Sequence, residues 1–386
     1  ISIDSKMIKK DDVFFAIKGE KNDGNKFVSE ALQKKSSFAI VNRITKNYPL
    51  SKQIKVKNSL SFLTKCSTIF RENINAKIIS ITGSCGKTTL KEMIGRTLKK
   101  ISKTTYSPKS FNNKYGVPLS LFNLKQDDDF GVFEVGMDKK GEINNLTSII
   151  KPDLGIITNV SYAHSKNFKS INHIADAKAE IMNHIKKNGF IVLNMDDDFF
   201  NYHKKLALKK KLKIISFGIK NKLSMIKLYK VKKVKNKYEL FINVDGEYVS
   251  FYSNNDNKSN LYNILATIAS INLYVNVKKI KKDIFLDFKT PNGRGDVSKI
   301  QLKNKKFFLV DETYNSNPLS LKTAIENYDK IESKNSKKYL ILGDMLELGQ
   351  HSIKQHRLIG KIINKSKINQ VYVIGKYIKE TFKTLK

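Results

Sequence analysis

Cysteine is nearly absent from this chain, with two residues in 386, Cys66 and Cys85. That scarcity excludes a disulfide framework and a four-thiolate zinc site, and it points to a reducing compartment. Long apolar runs are missing too. None approaches the roughly 18 to 20 residues that span a bilayer, and charges stand where a signal peptide carries its apolar stretch. The sequence therefore reads as soluble and cytoplasmic, with no membrane span. Arginine is the third scarcity: the chain holds 72 basic residues and a formal net charge of +37, yet five are Arg and the other 67 are Lys. Surfaces that read bases or clamp phosphates favour the planar, bidentate guanidinium, whereas these lysines are scattered through every segment. With abundant Asn and Ile they reflect AT-rich codon usage, and no nucleic-acid partner is expected.

What is present suffices for two or three packed domains, with 40% hydrophobic and 28% charged residues. The fold class is α/β. Residues 1–75 mix short apolar strands (13–17 and 38–41) with helical stretches, as in a small α/β domain. From 76 to 288 the pattern alternates: buried strands at 78–82, 131–135, 154–158, 190–194 and 214–218, separated by helices such as 174–187, predict a mostly parallel sheet covered on both faces. Residues 225–252 alternate around an Asp245-Gly246 turn, which predicts an antiparallel hairpin extending the sheet edge. A helix over 260–275 follows, and Pro291-Asn292-Gly293 marks a break. Over 289–386, strands at 307–311, 339–342 and 371–374 alternate with helices at 319–331 and 353–365, a second doubly wound pattern. The chain starts at Ile1 rather than Met and stops inside a strand-then-helix unit, so it reads as part of a longer protein.

The sharpest chemical signal is Gly83-Ser84-Cys85-Gly86-Lys87-Thr88-Thr89, between an apolar strand and a helix whose Leu90, Met93, Ile94 and Leu98 share a face. Glycines let backbone N–H groups turn inward around phosphate oxygens, and the helix N-terminus adds its dipole. Lys87 supplies a cation for the terminal phosphates, and the Thr88 hydroxyl suits Mg²⁺. Only two residues separate the glycines, so the loop is a variant of the commonest phosphate cradle. In strand, turn, helix order it indicates ATP binding. The position of Cys85 at a helix N-terminus lowers the expected thiol pKa, but no partner makes it a nucleophile and it reads as a tolerated small residue.

Glu134 ends a buried strand, where open α/β sheets present their ligands. A carboxylate there needs an ion pair or a cation, and nucleotide-bound Mg²⁺ takes hard oxygen ligands. His164 follows the next strand, with structural and functional roles equally open. Asn112 and Asn113, and the cluster formed by Asp311, Thr313, Tyr314, Asn315 and Asn317, are loop and cap residues when taken singly. Arg294, flanked by Gly293 and Gly295 in a chain that elsewhere uses Lys, suits bidentate phosphate contact.

Together these segments resemble the Mur ligase family, over essentially the whole chain: residues 3–6, 19–24, 82–89, 111–119, 134–137, 159–164, 177–181, Asn260 with Asn263, 293–294, 311–318 and 343–349. The resemblance implies three domains: a UDP-sugar-binding domain at 1–75, a central ATP-binding domain at 76–288, and an incomplete Rossmann-like acceptor domain at 289–386. It also implies ATP-dependent amide synthesis through an acyl phosphate. The segments at 111–113, 313–315 and 343–349 (Gly-Asp-Met-Leu-Glu-Leu-Gly) point to the branch that joins D-alanyl-D-alanine to UDP-N-acetylmuramoyl-tripeptide, acting as a cytoplasmic monomer in peptidoglycan synthesis. Carried over by motif, the catalytic set is Lys87, His164, Lys178 and Arg294. Lys87 would hold the γ-phosphate, Thr88 and Glu134 a first Mg²⁺, and His164 and Lys178 a second. An ammonium cannot ligate a cation, so Lys178 would serve after carbamylation by CO₂. Residues 83–89, Asn112 or Asn113, Asn260 and Asn263 would surround the nucleotide. Arg294 would reach the phosphates and Asp311 the ribose, with Ser5 and Asp23 at the UDP end and Asn315 and Asn317 at the acceptor. Lys6, Asn25 and Ser259 depart from the family's usual Arg, His and His. The nearest alternative is a family ligase adding diaminopimelate, lysine or, on folate, glutamate. A basic nucleic-acid-associated P-loop ATPase is the alternative of a different class, and a non-catalytic homologue a third.

Overall fold

A computed structural model describes residues 1–46, 48–303, 305–331 and 336–386. The first unit is a parallel sheet of β1 (Val13–Phe15), β2 (Phe38–Val41) and β3 (Gln53–Lys55), in that order. It packs with α1 (Val28–Gln33) and α2 (Ser59–Glu72). Phe15, Ile40 and Leu63 bury together against Leu119 and Phe122, which joins this unit to the next. Arg71 at the end of α2 is 3% exposed. It donates to the carbonyls of Ile74, Ile150 and Lys151, satisfying acceptors at the C-terminal ends of two helices.

The central unit carries β4 (Lys77–Thr82), α3 (Lys87–Lys99), β5 (Thr104–Tyr106), α4 (Gly116–Leu121), β6 (Phe130–Glu134), α5 (Glu142–Ile150) and β7 (Leu154–Ile157). Then follow α6 (Ile171–Ala179), β8 (Phe190–Asn194), α7 (Phe200–Lys209), β9 (Lys213–Gly218), β10 (Ile226–Val234), β11 (Lys237–Val244), β12 (Glu247–Ser253) and α8 (Lys258–Ile271). All nine strands form one sheet in the order β12-β11-β10-β9-β8-β7-β4-β6-β5. Alternate side chains of β4 enter two cores: Ile79 and Ile81 pack under α3 and α8, Ile78 under α4 and α5. A strand buried on both faces favours β-branched residues, and four of the five in Ile-Ile-Ser-Ile-Thr are β-branched. Each such Ile contributes about 1.5–3 kcal/mol on burial, so Ile79→Ala would cost about 2–5 kcal/mol. Residues 225–252 form the expected antiparallel extension, with Asp245 and Gly246 both at positive φ in the turn between β11 and β12. The helix expected over 174–187 stops at Ala179, and Glu180–His184 is a 3-10 turn. Glu180 is diverted there, its carboxylate accepting from the N–H groups of Gly141 and Asn144 at the start of α5.

In the last unit β13 (Asp296–Leu302) and β14 (Lys305–Asp311) form an antiparallel ribbon. After α9 (Pro318–Lys330), β15 (Tyr339–Gly343) pairs in parallel with β16 (Gln370–Ile374) across α10 (Ser352–Ile363). The expected single doubly wound sheet is therefore split. Residues 307–311 pair with a neighbour in sequence instead of with 339–342, a register that closes with far less loop entropy than the long-range alternative. Phe307, Phe308, Leu309, Ile341 and Ile374 are left exposed on these strands. Among the described residues no helix is long and apolar enough to cross a membrane.

Candidate active site

Strand order reverses at β4, which has β7 on one side and β6 on the other, so the crevice at its C-terminal end is where an open sheet takes ligands. Residues 83–86 fill that position and α3 starts at Lys87. Gly83 has φ +147° and a Cβ there would lie 1.8 Å from Thr158 Oγ1, so no side chain fits. Gly86 is left-handed at φ +82°. The loop is tied to β7's end: Cys85 N donates to Asn159 Oδ1 at 2.9 Å, Ser84 N to Asn159 O at 3.0 Å, and Thr158 Oγ1 to Cys85 O at 2.7 Å. Lys87 Nζ donates to Gly83 O at 2.8 Å, within the same turn. Burial pushes the Cys85 thiol pKa up rather than down. Desolvation of the thiolate outweighs the nearby Lys87 cation, which acts in the opposite direction.

Glu134, 1% exposed at the end of β6, stands beside Ile81 in the β4–β6 register. One carboxylate oxygen accepts from Thr88 Oγ1 at 2.8 Å and the other from Asn112 Nδ2 at 2.7 Å. The segment carrying Asn112 is anchored by the fully buried Lys91, whose ammonium donates to Ser107 O at 2.6 Å and Lys109 O at 2.9 Å. This places Ser110 Oγ 3.4 Å from Thr88 Oγ1. A buried carboxylate, an alcohol and an amide oxygen source in one pocket are hard donors of the kind Mg²⁺ takes.

Lys178, in the last turn of α6, is 2% exposed and has no hydrogen-bond or ion-pair partner among the described residues. Burial, with the Lys87 cation nearby, holds its pKa well below the ordinary lysine value. The amine is thus biased toward the neutral form. His164 has φ +54°, and burial together with Lys87 lowers its pKa while Glu347 and Asp138 oppose the shift. Its Nδ1 lies against Glu347 Oε2 and 3.3 Å from Asp138 Oδ1. Neither carboxylate is aligned to accept from it, and this buried nitrogen has no hydrogen-bond partner. Three potential ligand atoms thus converge, two from the central unit and one from the last.

The last unit closes over the loop. Lys166 N donates to Glu347 O at 2.8 Å, Ser165 Oγ to Leu348 O at 3.3 Å, and the Tyr162 and His351 rings pack at a tilt with centroids 4.8 Å apart. Gly349 is required at that seam, since a Cβ would fall 2.7 Å from Lys166 Cα. Asn317 caps α9 through Leu319 N and Ser320 N and accepts from Cys85 Sγ at 3.1 Å. Arg294 Nη2 reaches to 3.5 Å from Ser110 Oγ.

The Mur ligase middle-domain model matches residues 81–271. The UDP-N-acetylmuramoyl-tripeptide–D-alanyl-D-alanine ligase of Buchnera aphidicola subsp. Acyrthosiphon pisum is 34% identical, covering 97% of this chain and 80% of its own length. This chain belongs to the Mur ligase family. The ligase of the same name from Bacillus subtilis is 28% identical over 97% of this chain and 80% of its own. A crystal structure of MurF from Acinetobacter baumannii superposes with a TM-score of 0.85 at 26% identity, covering 99% of this chain and 82% of that one. The MurF ligase of Thermotoga maritima in complex with ADP shares the fold, with a TM-score of 0.81 at 24% identity over 100% of this chain and 95% of that one.

In this Mur ligase the sequence-predicted residues divide into two groups. Gly83 to Thr89, Glu134, Asn112, His164, Lys178, Arg294, Asn317 and Asn263, whose Oδ1 lies 3.4 Å from where a Gly86 Cβ would be, gather at the crevice. Others engage local structure. Asn113 accepts from Tyr115 N and Gly116 N at the start of α4. Asn260 donates to Ser253 Oγ and Asn255 O. Asp311 accepts from the Thr313 N–H and hydroxyl, which lower its pKa, and Asn315 is exposed. Ser5 donates to Glu30, while Asp23 caps Gly24–Phe27 and pairs with Arg43, all within the first unit. The site also contains residues to which the sequence assigned no role: Ser110, Asp138, Thr158, Asn159, Tyr314 and Glu347. Asn159, Tyr314 and Glu347 lie inside motifs that were visible; the others carry no local signature.

Proposed function

We propose that this chain is an ATP-dependent amide ligase that joins D-alanyl-D-alanine to UDP-N-acetylmuramoyl-tripeptide in peptidoglycan precursor synthesis. The observation that carries this reading is the convergence at one crevice of a phosphate loop, a buried carboxylate and an arginine from a separate unit, on a chain aligned nearly end to end with ligases of that name. A carboxylate is a poor electrophile at neutral pH, so amide formation needs it activated first. ATP phosphorylates the tripeptide's terminal carboxylate, and the dipeptide amine attacks the acyl phosphate and expels phosphate. Negative charge develops on the transferring phosphoryl oxygens and then on the tetrahedral carbon's oxygen, so cations placed beforehand lower both barriers. Lys87 and the loop N–H groups would hold the β- and γ-phosphates, and Arg294 would meet them from the far side. The seam formed by Glu347 to Gly349, Asn317 and Arg294 would exclude water from the acyl phosphate while it waits for the amine.

The residues present fit two divalent cations. Thr88 and Glu134 would hold one. The orphaned Nδ1 of His164 and the buried, unpartnered amine of Lys178 suit the second, the amine becoming a ligand once CO₂ converts it to a carbamate. Bound Mg²⁺ would neutralise phosphate charge. Residues 1–75 would take the UDP end, 76–288 ATP and 289–386 the acceptor, with Ser5, Asp23, Asn315 and Asn317 on substrate and Asn260 and Asp311 on the nucleoside. The protein would act as a cytoplasmic monomer.

The test is phosphate release from Mg·ATP with UDP-muramoyl-tripeptide, with and without D-alanyl-D-alanine, with the pentapeptide product read by mass. Release that needs both substrates, yields product and vanishes in Lys87→Ala is expected. ATP turnover indifferent to both substrates, or driven by nucleic acid, overturns the reading.

A further inference from the structure

The Asp296↔Asp311 pair ends the β13–β14 ribbon, and the chain runs past it on both sides, through Gly293 to Gly295 and through Glu312 to Tyr314. The two arms are stitched together by Gly295 N to Asp311 O at 2.7 Å and Tyr314 N to Gly293 O at 3.1 Å. Gly293 sits at φ +71°, with Tyr314 Cβ and N each 3.0 Å from where its own Cβ would be. The approach that puts Arg294 and Tyr314 side by side is therefore open only to glycine. As a result the Arg294 guanidinium carbon lies 4.2 Å from the centre of the Tyr314 ring. The phenol at the other end of that ring donates to Ser110 Oγ at 2.8 Å. Ser110 Oγ is also the atom 3.4 Å from Thr88 Oγ1 and 3.5 Å from Arg294 Nη2. One hydroxyl of the central unit thus receives both residues from the last unit, next to the threonine that bonds Glu134.

We infer that Tyr314 is a positioning residue: it holds the Arg294 guanidinium over its ring and, through its hydroxyl on Ser110, fixes that guanidinium beside Thr88 at the phosphate end of the loop. An arginine on a flexible stem loses rotamer freedom on binding phosphate, and stacking on an aromatic face removes part of that loss in advance. A guanidinium held over a ring keeps N–H groups directed away from the ring available for oxygen ligands. This deepens the reading of Arg294 as a phosphate contact and rests on it.

The experiment compares Tyr314→Phe, Tyr314→Ala and Ser110→Ala, each in the wild-type and Arg294→Ala backgrounds, by pentapeptide formation and by binding of a fluorescent ATP analogue with Mg²⁺. Tyr314→Phe keeps the stack and loses one hydrogen bond, so kcat should fall about 3- to 10-fold, and Ser110→Ala should match it without adding to it. Tyr314→Ala should cost about 10- to 100-fold in the wild-type background and almost nothing more in Arg294→Ala. A merely structural tyrosine would give the same factor in both backgrounds, and that result overturns the inference. So does wild-type turnover in Tyr314→Ala. If the wild-type chain binds nucleotide but forms no pentapeptide, the ligase reading fails, and the same comparison in analogue affinity still decides whether Tyr314 works through Arg294.

Discussion

Replacing Lys178 by Met should make the protein more stable and inactive at once. Lys178 is 2% exposed, its ε-amine has no hydrogen-bond or ion-pair partner among the described residues, and the Lys87 cation is nearby. Burying a polar group without a partner costs about 1–3 kcal/mol in proteins, and a Lys-to-Met exchange keeps the stem's volume, with a repacking cost of about 1 kcal/mol or less. The net gain is about 1–2 kcal/mol, or about 2–8 °C in the unfolding midpoint of a unit of this size. The pH dependence has a definite sign. The folded-state pKa lies below the ordinary value, so up to that value the unfolded chain binds more protons and wild-type stability rises with pH relative to the variant. The advantage of Lys178→Met should therefore be largest near neutrality and shrink toward pH 10. Thermal unfolding in CO₂-depleted buffer reads stability, and pentapeptide formation with and without bicarbonate reads function. Bicarbonate should raise wild-type turnover and leave the variant at least about 100-fold down. A variant that is less stable than wild type, or that still forms product, would refute the view that this lysine is buried for chemistry at the expense of stability.

Gly83→Ala should weaken nucleotide binding, because a Cβ would collide with Thr158 Oγ1, which is itself held on Cys85 O; a fluorescent ATP analogue should lose at least about 10-fold in affinity. Arg71→Met should lower stability by about 2–4 kcal/mol without changing KM for ATP, since three carbonyls lose their donor far from the crevice; chemical denaturation and steady-state kinetics check the two halves. The exposed Phe307, Phe308 and Leu309 should make the 386-residue chain bind a hydrophobic dye, and Phe308→Lys should reduce that signal with no loss of nucleotide affinity.

Most of the central unit was legible because its information is local. A continuous Ile-rich strand, a glycine turn and an amphipathic helix follow each other within about twenty residues, and each level of that pattern gives the same answer. Glu134 was findable for a related reason: a carboxylate closing an otherwise apolar strand is an exception that periodicity exposes. Lys178 was not findable that way. Its distinction is solvent exclusion, a tertiary property, and in the sequence it is one of 67 lysines, so only the family resemblance singled it out. Cys85 shows the same limit with opposite sign, since its helix position was visible and the burial that raises its pKa was not. The split sheet of the last unit follows from strand pairing, which a run such as 307–311 does not encode: its continuous apolar residues say strand, while partner choice depends on what β13 offers nearby. Ser110 and Asp138 lie furthest from prediction because neither acts alone. Ser110 matters only where Lys91 pins its segment, where Thr88 stands, and where the last unit delivers Tyr314 and Arg294 to the same oxygen. A site assembled across a seam is written in the packing of units, and its residues become readable only when both sides are in place.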